Sequence, residues 1–153
     1  MTKNYCFLLI LSLCISCQKY SQKEIRDNNS DSVIKVEMHL DGFGVEGDNF
    51  PSSIVGEIDF ENKKSNFEKD YYDPSIKAST YVLSDKEIKT LFELIQKADL
   101  TKLKKEYSIG DNRPDQPRSK MTIYTEYNQY EIDDYGLRGD TLLIKIYDIA
   151  YKI

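Results

Sequence analysis

Cysteine is the residue type of this chain best suited to a covalent reaction, because its thiolate is a strong nucleophile. All three cysteines lie within the first seventeen residues. Lys3 precedes an apolar run over residues 6–16, and the chain becomes polar after Cys17. A charged start, a short apolar segment and a small residue before the cut are typical of a secretory signal peptide, which we assign to residues 1–16. The run is too short for a transmembrane helix, which needs about 20 apolar residues.

The end of this run resembles the lipobox of bacterial lipoproteins, in which a cysteine is diacylated and becomes the new N-terminus. Before Cys17 stands the small Ser16, although Cys14 occupies the position where a leucine is usual. Before Cys14 the leucine is present as Leu11, but the bulky Leu13 stands at the cut. We therefore assign the lipid to Cys17 and keep Cys14, or cleavage without a lipid, as alternatives. Two acyl chains hold a protein stably at a membrane, so this anchor would need no transmembrane helix.

Histidine and carboxylates are the remaining candidates for chemistry. His39 is the only histidine, which excludes a metal site built on two or three histidines, and we interpret it as an exposed strand residue. Asp133 and Asp134 are adjacent in a predicted strand and must point to opposite faces, so they cannot share a proton. Asp111 and Asp115 lie in one loop, but their spacing does not match an EF-hand. We predict no catalytic residue, no metal site and no cofactor.

Aromatic residues are the candidates for partner binding. The chain has 12 tyrosines, and most of those in predicted strands are expected to pack against their neighbours. We expect Tyr72, Tyr81 and Tyr124 to lie opposite the apolar positions of their strands, and Phe43 lies in the glycine-rich loop 41–49. Exposed rings at these positions would mark a contact surface for protein or glycan, so we predict these four residues as partner-binding.

Composition and charge limit the possible partners. The net charge of −5 argues against nucleic acid, which calls for a basic patch, and against electrostatic attachment to anionic lipid. Residues 17–32 are almost wholly polar and are predicted to form the lipidated cysteine and a flexible tether. At its end, residues 31–33 resemble a short O-glycosylation signal of envelope proteins, which makes Ser32 a candidate site. Residues 33–153 suffice for one domain, which contains no cysteine and hence no disulfide.

Strands are predicted wherever apolar and polar residues alternate. Such alternation covers residues 33–40 and 54–60, and residues 65–72 read as the returning arm of a hairpin. Residues 121–127 and 130–135 alternate around a turn and predict a second hairpin.

Two amphipathic helices follow these hairpins. Ser84 and Glu87 form a capping box before an apolar stripe over residues 88–98, and Asp140 is placed to cap a helix with a stripe over residues 142–153. Hairpins that alternate with helices predict an α+β fold. We expect a mainly antiparallel sheet of two hairpins, with both helices packed on one face.

From Ala78 to the end, the chain resembles a family of uncharacterised domains found in small envelope lipoproteins. The residues that carry the resemblance are Leu83-Ser84, Tyr107, Asp115-Gln116-Pro117, Tyr135-Gly136 and Leu142-Leu143. Over residues 33–72 the resemblance is loose, because the first loop lacks the cysteine that the family has there. The resemblance implies the same order of strands and helices, and it implies no known activity.

These features predict a lipid-anchored protein of a Gram-negative cell envelope, at the outer membrane. We expect a non-enzymatic, monomeric module that binds another macromolecule, with an immunity-like or inhibitor protein as its specific form. One alternative is a carboxylate-dependent enzyme or a glycan-processing accessory protein that uses the loops 41–49 or 110–117. The other is a structural component of the envelope.

Overall fold

The computed structural model describes residues 31–42, 50–108 and 115–153. Within these ranges the strands are β1 (Val33–Asp41), β2 (Pro51–Asp59), β3 (Lys64–Tyr71), β4 (Ser79–Tyr81), β5 (Glu106–Tyr107), β6 (Arg118–Thr125) and β7 (Gln129–Tyr135). The helices are α1 (Asp85–Gln96) and α2 (Thr141–Ala150), and a 3₁₀ turn covers Leu100–Lys102. The predicted signal peptide, Cys17, Phe43 and Asp111 lie outside the described residues.

One mixed sheet contains all seven described strands, in the order β4-β3-β2-β1-β6-β7-β5. Neighbouring strands are antiparallel, except that β5 runs parallel to β7. The predicted α+β class with a mainly antiparallel sheet and two helices is therefore confirmed. The sheet is larger than the two predicted hairpins, because β1 joins the β2–β3 pair to the β6–β7 pair and short strands extend both edges.

Alternation along the strands directs every second side chain into the core. In β1, Val36, Met38 and Leu40 are buried, whereas Glu37 and His39 between them are half-buried. The buried strand residues form one hydrophobic cluster with residues of both helices. The helix residues in this cluster are Ile88, Leu91 and Ile95 of α1 and Leu143, Ile146, Tyr147 and Ala150 of α2. The cluster therefore holds the sheet and the helices together.

Both helices begin where the sequence predicts. Ser84 caps α1, since its hydroxyl accepts the Glu87 backbone amide while the Glu87 carboxylate accepts the Ser84 amide at 2.6 Å. At α2, the Asp140 carboxylate accepts the backbone amides of Leu142 and Leu143 at 3.0 and 3.1 Å. Such caps satisfy amides that have no partner inside the helix. Neither described helix is long and apolar enough to cross a membrane.

A buried carboxylate connects β7 to α2. Asp134 is fully buried and accepts the backbone amides of Arg138 at 2.7 Å and Gly139 at 2.8 Å, and the Tyr147 hydroxyl at 3.1 Å. The neighbouring Asp133 points to the other side of the sheet, where it pairs with Arg118. The prediction that these two aspartates point to opposite faces is therefore confirmed. Asp134 holds the turn before α2 against the sheet.

The folded part also includes residues just before β1. The Asp31 carboxylate accepts the Thr125 hydroxyl and the Asn128 side-chain amide, both at 2.6 Å, and the Tyr127 backbone amide at 3.0 Å. These contacts tie Asp31, which the sequence assigns to the tether, to the turn between β6 and β7.

We expect Asp134→Ala to lower the free energy of unfolding by about 3 kcal/mol, because two part-buried backbone amides and the buried Tyr147 hydroxyl lose their acceptor. Asp133→Ala is the matched control, since it removes a neighbouring carboxylate that pairs only at the surface. This control should cost less than about 1 kcal/mol. Urea unfolding followed by circular dichroism measures both values, and equal losses in the two variants would contradict the role given to Asp134.

Candidate functional site: the open face of the sheet

The side of the sheet opposite the buried strand positions is lined by polar side chains, and we call it the open face. It is formed by Lys35, Glu37, His39, Val55, Glu57, Asn66, Glu68, Lys120, Thr122, Tyr124, Glu131 and Asp133. These residues belong to β1, β2, β3, β6 and β7, and within each strand they occupy alternate positions. The register of the strands aligns them in rows across the sheet. Glu37, for example, lies opposite Glu57 on β2 and opposite Thr122 on β6.

Two neighbouring rows of the open face contribute to a compact cluster of Lys35, Glu37 and Tyr124. The Lys35 ammonium lies 2.5 Å from the Glu37 carboxylate and 4.8 Å from the centre of the Tyr124 ring. The Tyr124 hydroxyl donates to the other Glu37 oxygen at 2.8 Å. The hydrogen bond from Lys35, followed by that from Tyr124, lowers the pKa of Glu37. Glu37 is thus held as a carboxylate rather than as a proton donor.

A second charged group lies where β1 ends and β6 begins. His39 Nε2 is 3.1 Å from Asp41 Oδ1, and Arg118 makes a two-pronged contact with Asp133. The hydrogen bond to Asp133, followed more weakly by the negative charges of Asp133 and Asp41, raises the pKa of Arg118. Asp41 lies opposite Arg118 in the register. The end of β1 therefore lies beside the start of β6.

Lys120 lies in the middle of the open face and forms no ion pair among the described residues. Two shallow clefts of about 500 and 340 Å³ lie on either side of β6, and Lys120 and Thr122 line both. The larger cleft also contains Glu57 and Glu68, which accept no hydrogen bond within the described part of the chain, and Val55, which is 50% exposed. An ammonium and two carboxylates are thus available to a partner.

The lowered pKa of Glu37 bears on the alternative of a carboxylate-dependent enzyme. A glycosidase-type mechanism needs one carboxylic acid whose pKa is raised, and in Glu37 the pKa is lowered instead. Within residues 31–42, 50–108 and 115–153, no three histidine or carboxylate side chains are grouped to hold a metal ion. Asp115, one of the loop carboxylates, is exposed and adopts a positive φ of 81°.

The predicted partner-binding tyrosines do not form one patch. Tyr72 is 56% exposed and follows the end of β3. Tyr81 lies on the core side of β4, where its ring stacks on Phe67 and its hydroxyl donates to the Ala150 carbonyl at 2.7 Å. Tyr124 belongs to the open face. Tyr81 therefore has a structural contact at both its ring and its hydroxyl.

Three other predicted sites lie at the described start of the domain or outside the described residues. Ser32 is half-buried, and its backbone carbonyl accepts the Glu126 amide at 2.9 Å. Phe43 and the lipidation site Cys17 lie outside the described residues. The sequence patterns do not single out Lys120, Glu57 or Glu68, although Glu57 lies on the polar side of the predicted strand over residues 54–60.

Comparison with protein families identifies the domain. A family model described as a domain of unknown function, DUF6438, matches residues 57–152, which is more than half of the chain. The chain belongs to the DUF6438 family. The predicted resemblance to an uncharacterised domain family is confirmed, and the DUF6438 match begins upstream of Ala78, within β2. No curated protein and no solved structure shows significant similarity to the chain.

We expect Tyr124→Phe to raise the pKa of Glu37 partway towards its ordinary value, because one of its two donors is lost while Lys35 remains. A carboxylate whose pKa is lowered by folding stabilises the fold at neutral pH, and this contribution is lost as the pH falls through the folded-state pKa. The variant should therefore lose less stability than the wild type on acidification. Carbon-13 NMR titration of the carboxyl groups, with Tyr130→Phe as control, measures the shift, and an unchanged Glu37 pKa would contradict the cluster.

Proposed function

We propose that this DUF6438 domain is a lipid-anchored envelope module that binds another macromolecule through its open face. The observation that carries the proposal is the exposed, charged sheet face, on which Lys120, Glu57 and Glu68 have no ion-pair partner among the described residues. Partner proteins use such charges to select and orient their contacts. A flat face with shallow clefts suits a macromolecule better than a small substrate, which is usually enclosed.

The specific form that we propose is an immunity-like or inhibitor protein that neutralises another protein. Electrostatic complementarity raises the rate at which such a protein finds its target. The open face carries both acidic and basic groups, which supports a partner surface with complementary basic and acidic groups. The net charge of −5 supports a protein partner over nucleic acid.

The N-terminal pattern supports the anchor. The predicted tether over residues 17–32, of which Asp31 is bonded to Thr125, would join the domain where β1 begins. From Val33 to Asp41, β1 carries the chain about 26 Å along the sheet at the usual rise per residue. A partner could reach the open face along β1 while the domain is attached to the membrane only at the end where β1 begins.

We expect Cys17→Ala to abolish incorporation of radiolabelled palmitate into the full chain, because the acyl acceptor is lost. Cys14→Ala is the matched control and should retain the label. Label in Cys17→Ala but not in Cys14→Ala would move the lipid to Cys14. An unlabelled wild-type protein would overturn the lipid anchor and leave the binding proposal to the next test.

We expect a photo-crosslinking residue at Val55 to form a discrete adduct in the native cell, because Val55 and Lys120 line the same cleft. Lys120→Glu should reduce the adduct about fivefold, which corresponds to ~1 kcal/mol of binding free energy. Lys145→Glu makes the same charge change on the exposed side of α2 and should leave the adduct unchanged. Equal effects of both substitutions, or no adduct at all, would contradict binding through the open face.

A further inference from the structure

The two edges of the sheet differ in how they are protected against pairing with another strand. Natural sheets protect exposed edges with short strands and charged residues. At one edge, β5 has two residues and carries Lys104, Lys105 and Glu106 at and before its start. At the other edge, β4 lies within residues 77–82, where Lys77 is the only charged residue. The β4 edge is therefore the less protected one.

The β4 edge has the features of a strand-binding site. β4 has one neighbour in the sheet, β3, and Tyr81 lies opposite Phe67 while Ser79 lies opposite Lys69. Along the outer side of such a strand, backbone amides and carbonyls point away from the sheet. Thr80 is exposed and Val82 is 65% exposed. An incoming strand would meet both backbone partners and a β-branched apolar side chain here.

Lysine side chains on the core side of β4 define the charge of a suitable partner. The ammonium groups of Lys69 and Lys152 lie 5.1 and 5.4 Å from the centre of the Tyr81 ring. Lys152 pairs with Glu87 at 3.2 Å, whereas Lys69 forms no ion pair in the described part of the chain. Burial, together with the charge of Lys152, lowers the pKa of Lys69. An acidic side chain on a neighbouring strand would relieve this excess of positive charge.

We propose that the β4 edge binds an extended acidic segment of a partner protein as an eighth strand. Main-chain hydrogen bonds would supply affinity, and the pairing of acidic side chains with Lys69 and Lys152 would supply specificity. A second copy of this chain fits less well, because two-fold pairing of β4 with itself would bring the same lysines of both copies together. This surface is separate from the open face and does not depend on the lipid anchor.

The test uses the full chain and a short acetylated peptide in which valine alternates with glutamate. The control peptide carries lysine in place of every glutamate. Two favourable charge pairs of about 0.7 kcal/mol each predict roughly tenfold tighter binding of the glutamate peptide by fluorescence anisotropy. Bound peptide should also slow amide hydrogen exchange within residues 78–82. Lys69→Glu should remove the preference for the glutamate peptide.

Val82→Lys should weaken binding of the glutamate peptide, because it places a charge at the pairing edge. Ile144→Lys is the matched control, since Ile144 is also an exposed β-branched residue but lies on the helix α2. Equal affinity for both peptides, protection outside residues 78–82, or no binding at about 1 mM peptide would each overturn the proposal. Light scattering could instead show that the wild-type protein is a dimer and that Val82→Lys dissociates it. This result would overturn the proposal, because the occupant of the β4 edge would then be a second copy of the chain.

Discussion

Strand β1 lies between β2 and β6, and its alternation of apolar and polar residues separates the inside of the domain from its outside. Val36, Met38 and Leu40 are buried, while Glu37 and His39 point to the open face. A slip of one residue in the register would exchange these two sets, so the hydrophobic side chains hold the register in place. The neighbouring strands repeat the same division. The core and the open face are therefore two consequences of one pattern.

Asp134 is the main departure from this division, because it is a carboxylate on the buried side. Its burial is tolerated because backbone amides from the following turn and the Tyr147 hydroxyl donate hydrogen bonds to its two carboxylate oxygens. Nearby, the hydroxyls of Ser119 and Tyr151 are buried and bonded to each other at 2.7 Å. Satisfied polar groups of this kind fix the geometry of a core, because a displaced partner would leave a buried donor without an acceptor. They thereby orient α2 on the sheet.

The two proposed binding surfaces, the open face and the β4 edge, would offer different kinds of recognition. The open face presents side chains, and several of its charges are already paired, so Lys120, Glu57 and Glu68 are the groups that the proposed partner would contact. The β4 edge presents backbone groups beside the lysines near Tyr81. The DUF6438 match begins at Glu57, so Lys35, Glu37 and His39 of β1 lie outside it. The family region therefore supplies only part of the open face.

Local patterns in the sequence determined the strands around residues 33–40 and 121–135, the capping box of Ser84 and the cap at Asp140, because each depends on residues only a few positions apart. They also determined that Asp133 and Asp134 point apart. The strand order, the position of Lys120 between two clefts and the contact of Asp31 with Thr125 were decided only by the tertiary structure. Tyr81 was predicted to bind a partner, yet its hydroxyl reaches the end of α2, 69 residues away. Periodicity tells to which side of a strand a residue points, but its neighbours depend on which distant strands and helices pack beside it.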